Sequence, residues 1–179
     1  CLAALADAEG FAVVDPEGTP AILAANHRTW NAGGRTDDAV FRCVSGRACD
    51  ENVDDVAFFD ALLAEVERGV NVDRQRVFLT GISNGGAMAH RLACERSTVV
   101  AAIGPVGGGN QLEAVQGCNP ARPVPVLQIH GTKDPCWRFA DDDEMGACEA
   151  RINPDKIHIS AEETVEGWRA RNGCSATSR

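Results

Sequence analysis

Gly81-Ile82-Ser83-Asn84-Gly85 lies between two stretches of different character. Arg76–Thr80 before it is a short β-prone apolar run, and Gly86–Cys94 after it has a helical pattern. A strand, a glycine-flanked turn and a helix form the setting of a nucleophile elbow, in which a serine has strained backbone angles. We expect glycine on both sides because a neighbouring Cβ would clash. The segment predicts a nucleophile at Ser83; the simpler alternative is an ordinary glycine-rich turn.

Strands and helices alternate along the rest of the chain. The predicted strands are Phe11–Val14, Arg76–Thr80, Val99–Ile103 and Val124–Ile129. The predicted helices are Leu2–Ala8, Val53–Glu67, Gly86–Cys94 and a last one that extends through Arg171. Asn52 is the predicted N-cap of the second helix. The last helix is expected to begin at a capping box, Ser160-Ala161-Glu162-Glu163, and to end at Gly173. Nearly continuous apolar strands predict an α/β fold, with a parallel sheet covered by helices on both faces. Gly33–Asp50 lacks periodicity and is expected to be a surface excursion.

Composition limits the possible functions. A chain of 179 residues, 44% of them hydrophobic, is long enough for one domain over residues 1–179 with a single core. A net charge of −9 argues against nucleic-acid partners, which need clustered Lys and Arg. No apolar run approaches the roughly 18 residues of a membrane span. Asp141-Asp142-Asp143-Glu144 lacks the ligand spacing of a calcium loop and predicts a solvated acidic loop.

Eight cysteines indicate an oxidising, extracellular compartment. No Cys-x-x-Cys occurs, and the spacing predicts neither a metal site nor a cofactor. Short separations favour three disulfides, Cys43–Cys49, Cys94–Cys118 and Cys136–Cys148. Cys1 and Cys174 are then left over and could pair together or with cysteines outside this sequence; we expect the second, so that both are unpaired within it. Spacing alone does not fix the connectivity.

Serine catalysis also needs an acid and a base. Asp134 directly follows an apolar strand in Ile129-His130-Gly131-Thr132-Lys133-Asp134-Pro135, where a triad acid would lie, although Asp-Pro is also a common turn. His130 is expected to brace this loop by hydrogen bonding.

The base is not evident among the other histidines. His90 is expected to be a surface or packing residue on the helix after the elbow, and His27 lies in a loop where it could line a cleft. His158 follows Asp134 as the order Ser, Asp, His requires, but no strand is evident to carry it. None of the four histidines is assigned as the base.

Several segments, taken in order, resemble the polyhydroxybutyrate depolymerase and feruloyl esterase group of secreted α/β-hydrolases. They are Trp30-Asn31-Ala32-Gly33-Gly34, Asn52-Val53-Asp54-Asp55-Val56, Arg76–Glu95, Pro123–Pro135 and Glu163–Cys174. The resemblance implies Ser83 as nucleophile, Asp134 as triad acid and the Asn84 backbone N–H as an oxyanion donor. It implies hydrolysis of carboxylic esters, either hydroxyalkanoate polyesters or feruloyl and acetyl esters of plant polysaccharides.

The same resemblance implies that the sequence is a partial α/β-hydrolase domain. It places the catalytic histidine beyond Arg179, and the first strands and a second oxyanion loop before Cys1. The chain by itself is therefore expected to be inactive. Trp30 is a candidate aromatic platform for substrate, with a packing role as the alternative. A second hypothesis is a non-catalytic binding module that keeps the fold without the triad.

Overall fold

A short parallel sheet backed by helices forms the centre of the molecule. The computed structural model describes residues 2–20, 27–34, 47–115, 117–142, 144, 146 and 159–175. The helices are α1 (Leu2–Glu9), α2 (Arg47–Asp50), α3 (Asp55–Gly69), α4 (Asn84–Glu95), α5 (Gln111–Val115) and α6 (Ala161–Arg171). The strands are β1 (Thr19–Pro20), β2 (Arg28–Thr29), β3 (Val77–Ile82) and β4 (Val100–Val106). No helix in these ranges is long and apolar enough to cross a bilayer.

The parallel sheet brings three chain segments to one edge. β3 pairs with β4 in parallel, from Val77 opposite Val100 to Ile82 opposite Val106. Residues 124–129 continue the sheet beyond β4 through two parallel bridges, at Val126 and Ile129. All three segments therefore end at the same edge of the sheet, which is where binding residues collect in open α/β sheets.

The predicted strand Val124–Ile129 is present only as those two bridges. Ile103 N donates to Pro125 O and Leu127 N donates to Ile103 O, each at 3.0 Å, so the backbones do pair. Pro105 and Pro125 have no N–H to donate, so the ladder cannot be continuous. The prediction of an extended segment at this place is right, and its regularity is interrupted by proline.

The core lies on one face of the sheet. Helix α4 packs against β3 and β4, and the buried cluster joins Met88 and Leu92 to Val100, Ile103 and Trp168. The alternate residues point the other way because side chains along a strand alternate between faces. They are exposed apolar residues: Phe78 at 63%, Ile82 at 73%, Leu127 at 67% and Ile129 at 52%.

Two predictions about the first third of the chain are wrong. Phe11–Val14 is not a strand but irregular and exposed, with Phe11 at 45% and Val14 at 47%. An apolar run becomes a strand only where a neighbour pairs with it, and the described residues offer it none. Gly33–Asp50 is not wholly a surface excursion, because it contains α2, whose Ala48 and Cys49 are buried.

Helix ends follow the local capping chemistry. Ser160 accepts from Glu163 N and Glu163 returns the bond, which confirms the predicted capping box. Gly173 has φ 65°, a conformation that suits the predicted stop after α6. Helix α3 is capped by Asp54, whose side chain accepts from Ala57 N, and not by Asn52 as predicted. Asn52 has φ 52° and lies in the turn before the cap.

Candidate active site

Ser83 occupies a strained turn between β3 and α4. Its φ is 54° and its ψ is −122°. A Cβ on Gly81 would lie 2.5 Å from the Gly85 carbonyl carbon, and one on Gly108 would lie 2.3 Å from Ser83 O. A Cβ on Gly85 would meet nothing within 4 Å. The prediction that a side chain would clash is therefore confirmed for Gly81 and wrong for Gly85. A side chain would also clash at Gly108, which was not predicted.

Backbone hydrogen bonds fix the turn to the sheet. Ser83 N donates to Val106 O at 2.8 Å, and Ala87 N donates to Ser83 O at 3.0 Å. The Ser83 residue is exposed, and no described residue hydrogen-bonds to its hydroxyl. Asn84 is the first residue of α4, so its N–H has no acceptor within the helix and lies beside the serine. This N–H and the positive end of the helix dipole favour negative charge near Ser83.

Asp134 is held by the loop that follows the third segment of the sheet. Its Oδ1 accepts from Cys136 N at 2.8 Å and from Trp137 N at 3.1 Å. Its Oδ2 lies 3.2 Å from the place that a Cβ on Gly107 would occupy, so this oxygen faces the end of β4. The Asp-Pro turn and the candidate acid are therefore the same feature: one carboxylate oxygen organises the turn, and the other faces the sheet edge.

One cavity brings Ser83 and Asp134 together. Its volume is about 280 Å³, and its walls also include Gly107, His130 and Trp137. The serine, the glycine and the aspartate follow the three parallel segments of the sheet at their carboxyl ends. The topology therefore assembles the two predicted chemical groups from separate parts of the chain.

His130 shares this cavity, but both of its ring nitrogens are engaged. Its Nε2–H donates to Trp137 O at 2.9 Å, since a carbonyl can only accept. Its Nδ1 then accepts from Gln128 Nε2 at 3.3 Å. The side chain is only 3% exposed. These contacts agree with the predicted bracing role and leave no lone pair for the Ser83 proton.

His90 is a buried packing residue. Its Nδ1 accepts from Trp168 Nε1 at 2.9 Å, and its Nε2–H donates to Gln128 Oε1 at 3.0 Å. Exclusion of water lowers the pKa of His90 to about 4, although the bond to Gln128 opposes the shift. His27 is exposed, and His158 lies outside the described residues.

Trp30 is fastened to the elbow through its backbone. Its N–H donates to Asn84 Oδ1 at 2.6 Å, and Asn84 Nδ2 donates back to Trp30 O at 3.1 Å. Its half-buried ring stacks on Phe58, with 6.0 Å between ring centroids. Asn84 thus presents its backbone to the site and holds Trp30 with its side chain. The role of Trp30 as an aromatic platform stays a prediction.

One predicted disulfide is present in full. Cys94 and Cys118 are bonded with 5.2 Å between their Cα atoms, which ties the end of α4 to the chain before residues 124–129. Cys49 and Cys136 are also disulfide-bonded, while their predicted partners, Cys43 and Cys148, lie outside the described residues. Cys174 is a free, exposed thiol, as expected, and Cys1 lies outside the described residues.

The buried network around Gln128 is absent from the predictions. Gln128 Nε2 also donates to Gly108 O at 2.9 Å, so this amide joins His90, His130 and the loop behind Ser83. A single amide inside the apolar run of residues 124–129 is the signal that could have revealed it. Its partners come from distant segments and carry no common motif.

The sequence is similar to those of several proteins that are named as esterases. Feruloyl esterase B of Piromyces equi is 30% identical over 129 residues, which are 71% of this chain and 23% of that protein. Feruloyl esterase D of Neurospora crassa is 41% identical over 85 residues, which are 48% of this chain and 28% of that protein. A bifunctional acetylxylan esterase/xylanase of Neocallimastix patriciarum is 30% identical over 130 residues, which are 73% of this chain and 16% of that protein.

The chain thus spans less than a third of the length of each of these three relatives. No protein-family model matches the sequence. A small parallel sheet with helices is an α/β arrangement, and the similarity to named esterases supports a carbohydrate esterase family.

Proposed function

We propose that this chain carries the nucleophile and the acid of a serine esterase with a partial α/β-hydrolase domain over residues 1–179. The observation that supports it best is the shared cavity of Ser83 and Asp134, at the carboxyl ends of parallel segments. A strained serine at a helix N-terminus and a carboxylate beyond the next segments of the sheet match the geometry of a triad that lacks its base.

The proposed reaction has two steps. Ser83 Oγ attacks the ester carbonyl carbon while its proton passes to a histidine, and the Asn84 N–H donates to the carbonyl oxygen as it gains negative charge. The alcohol leaves with that proton and an acyl-serine remains. Water then attacks the acyl carbon and gives up a proton to the histidine, which returns it to Ser83 Oγ. Asp134 orients the imidazole and stabilises its charged form.

The base is a histidine other than His90 and His130, because the ring nitrogens of both are engaged. This chain spans less than a third of each of the three relatives, so we propose ester hydrolysis for a longer protein that contains it.

The names of the relatives favour one substrate class. Two are feruloyl esterases and one is an acetylxylan esterase/xylanase, so we propose feruloyl or acetyl esters of plant polysaccharide as substrates. None of these names supports the polyester alternative. Disulfides fit an oxidising compartment, and secretion is part of the proposal.

A covalent probe tests the nucleophile in the longer protein. A fluorophosphonate should label Ser83, and Ser83→Ala should abolish labelling and reduce hydrolysis of 4-nitrophenyl acetate by several orders of magnitude. Ser175→Ala is the control, since this serine is also exposed but follows α6 and is not part of the cavity wall. Labelling of another serine would overturn the assignment.

Substrate choice needs a separate comparison. Methyl ferulate, acetylated xylan and polyhydroxybutyrate would be offered to the same protein, and we expect release of acid from the first two. Release from polyhydroxybutyrate alone would restore the polyester alternative. A folded protein that neither reacts with the probe nor hydrolyses any ester would instead be the non-catalytic binding module.

A further inference from the structure

A continuous chain of hydrogen bonds leads from α6 to the loop of Asp134. Trp168 Nε1–H donates to His90 Nδ1 at 2.9 Å, and His90 Nε2–H donates to Gln128 Oε1 at 3.0 Å. Gln128 Nε2 donates to His130 Nδ1 at 3.3 Å, and His130 Nε2–H donates to Trp137 O at 2.9 Å. Each ring nitrogen along this chain has one partner, so the direction of donation is fixed from Trp168 to Trp137.

The last hydrogen bond of this chain ends at Trp137, the residue whose N–H also binds Asp134. Trp137 donates its N–H to Asp134 Oδ1 at 3.1 Å and accepts the His130 N–H at its carbonyl. The two backbone groups of this one residue therefore connect the histidine to the carboxylate. His130 itself lies 3.9 Å from Asp134 Oδ2, beyond hydrogen-bond distance.

Burial makes this arrangement resistant to change. His90 is fully buried and His130 has 3% of its side chain exposed, so water cannot replace a lost partner at either ring. Turning His130 to its other tautomer would set an N–H against the Gln128 amide N–H and leave the Trp137 carbonyl without a donor. Gln128 prevents this because its Oε1 is already engaged by His90.

We propose that His130 is a positioning residue for the acid, and that Gln128, His90 and Trp168 set its tautomer. This inference rests on the proposed function, in which Asp134 is the triad acid. His130 N–H holds the Trp137 carbonyl, and Trp137 holds Asp134, so the carboxylate faces the cavity of Ser83. His130 takes no part in proton transfer.

Two substitutions at His130 separate positioning from proton transfer. A glutamine amide reaches the place of histidine Nε2 and can donate to Trp137 O, whereas an asparagine amide reaches only the place of Nδ1. In the longer protein we expect His130→Gln to keep kcat for 4-nitrophenyl acetate within a few-fold. We expect His130→Asn to lower kcat about 100-fold with little change in KM, since small displacements of a catalytic group have effects of this size.

The comparison has a clear opposite outcome. Neither amide can act as a base, so an equal, severe loss of kcat in His130→Gln and His130→Asn would overturn the proposal and assign proton transfer to His130. Normal kcat in both variants would also overturn it. Far-ultraviolet circular dichroism and urea unfolding establish that each variant is folded before rates are compared.

A spectroscopic measurement tests the same proposal without activity. Multiple-bond ¹H–¹⁵N spectra of the unaltered protein should show the N–H of both His90 and His130 at Nε2. A proton on His130 Nδ1 would overturn the inference even if Ser83 were the nucleophile. Conversely, full hydrolysis by Ser83→Ala would overturn the proposed function while the two tautomers stayed as described.

Discussion

Gly81 and Gly85 flank the same turn but differ in whether the structure has room for a side chain. Gly81→Ala should destabilise the chain by about 3 kcal/mol, because the new Cβ would lie 2.5 Å from the Gly85 carbonyl carbon. Gly85→Ala should stabilise it by up to about 1 kcal/mol, since Gly85 is in α4 and its Cβ would enter open space. Urea unfolding of both variants measures the difference. Similar losses of stability would contradict the described turn.

Buried His90 makes stability depend on pH. Its pKa is about 4 in the folded chain against a usual 6.5, so the unfolded chain binds the proton more readily. Its contribution to the free energy of unfolding is complete above pH 6.5 and is lost as the pH falls towards 4. The loss should be about 3 kcal/mol. Denaturant unfolding between about pH 4 and 7 measures it.

His90→Gln is the control for that profile. Glutamine does not titrate and can still donate to Gln128, so other groups contribute equally to both proteins. The variant should be less stable at neutral pH, and the difference should shrink as the pH falls. A constant difference across that range would show that His90 does not titrate as described.

The range of the interactions decides how far the sequence can predict the site. Ser83 and Asp134 could each be singled out from the sequence, because each is marked by a short motif at a strand end, and both line the same cavity. The network of His90, Gln128 and Trp168 joins α4, α6 and the interrupted third segment of the sheet. No local pattern specifies which buried polar groups will meet, so this part required the structure.

The Cys94–Cys118 disulfide ties one element to another. Replacing both cysteines by alanine should lower the free energy of unfolding by about 3 kcal/mol, since a separation of 24 residues is no longer closed in the unfolded chain. Cys174→Ala is the control, because this thiol is free and exposed, and we expect a change within about 0.5 kcal/mol. Equal effects would mean that the bridge adds nothing.

Elements with their own local signals were predicted best. Helix α6 begins and ends where its capping box and Gly173 indicate. Phe11–Val14 has the composition of a strand and yet is irregular, because strand formation depends on a partner elsewhere in the chain. Residues 124–129 show the intermediate case: pairing is present, and Pro105 and Pro125 interrupt it.

The uncovered face of the sheet should govern the behaviour of the whole chain in solution. Phe78 and Ile82 of β3 and Leu127 and Ile129 of the segment beyond β4 are exposed apolar positions on it, and exposed apolar patches bind dyes and associate. Phe78→Thr should reduce fluorescence enhancement of 8-anilinonaphthalene-1-sulfonate and self-association in sedimentation. Phe11→Thr, at a position that is 45% exposed in the irregular segment after α1, should have a smaller effect. Equal effects would argue against a continuous patch.

Parallel pairing across α4 also sets an order of events during synthesis. β3 and the elbow leave the ribosome before β4, which is the strand that pairs with β3 among the described residues, and the Cys94 thiol has to wait for Cys118 to emerge. The cavity closes only when the segment before Asp134 has joined the sheet. In a nascent chain Ser83 is therefore synthesised well before the cavity that it shares with Asp134 can form. Under the proposed function, esterase activity would report the completion of folding.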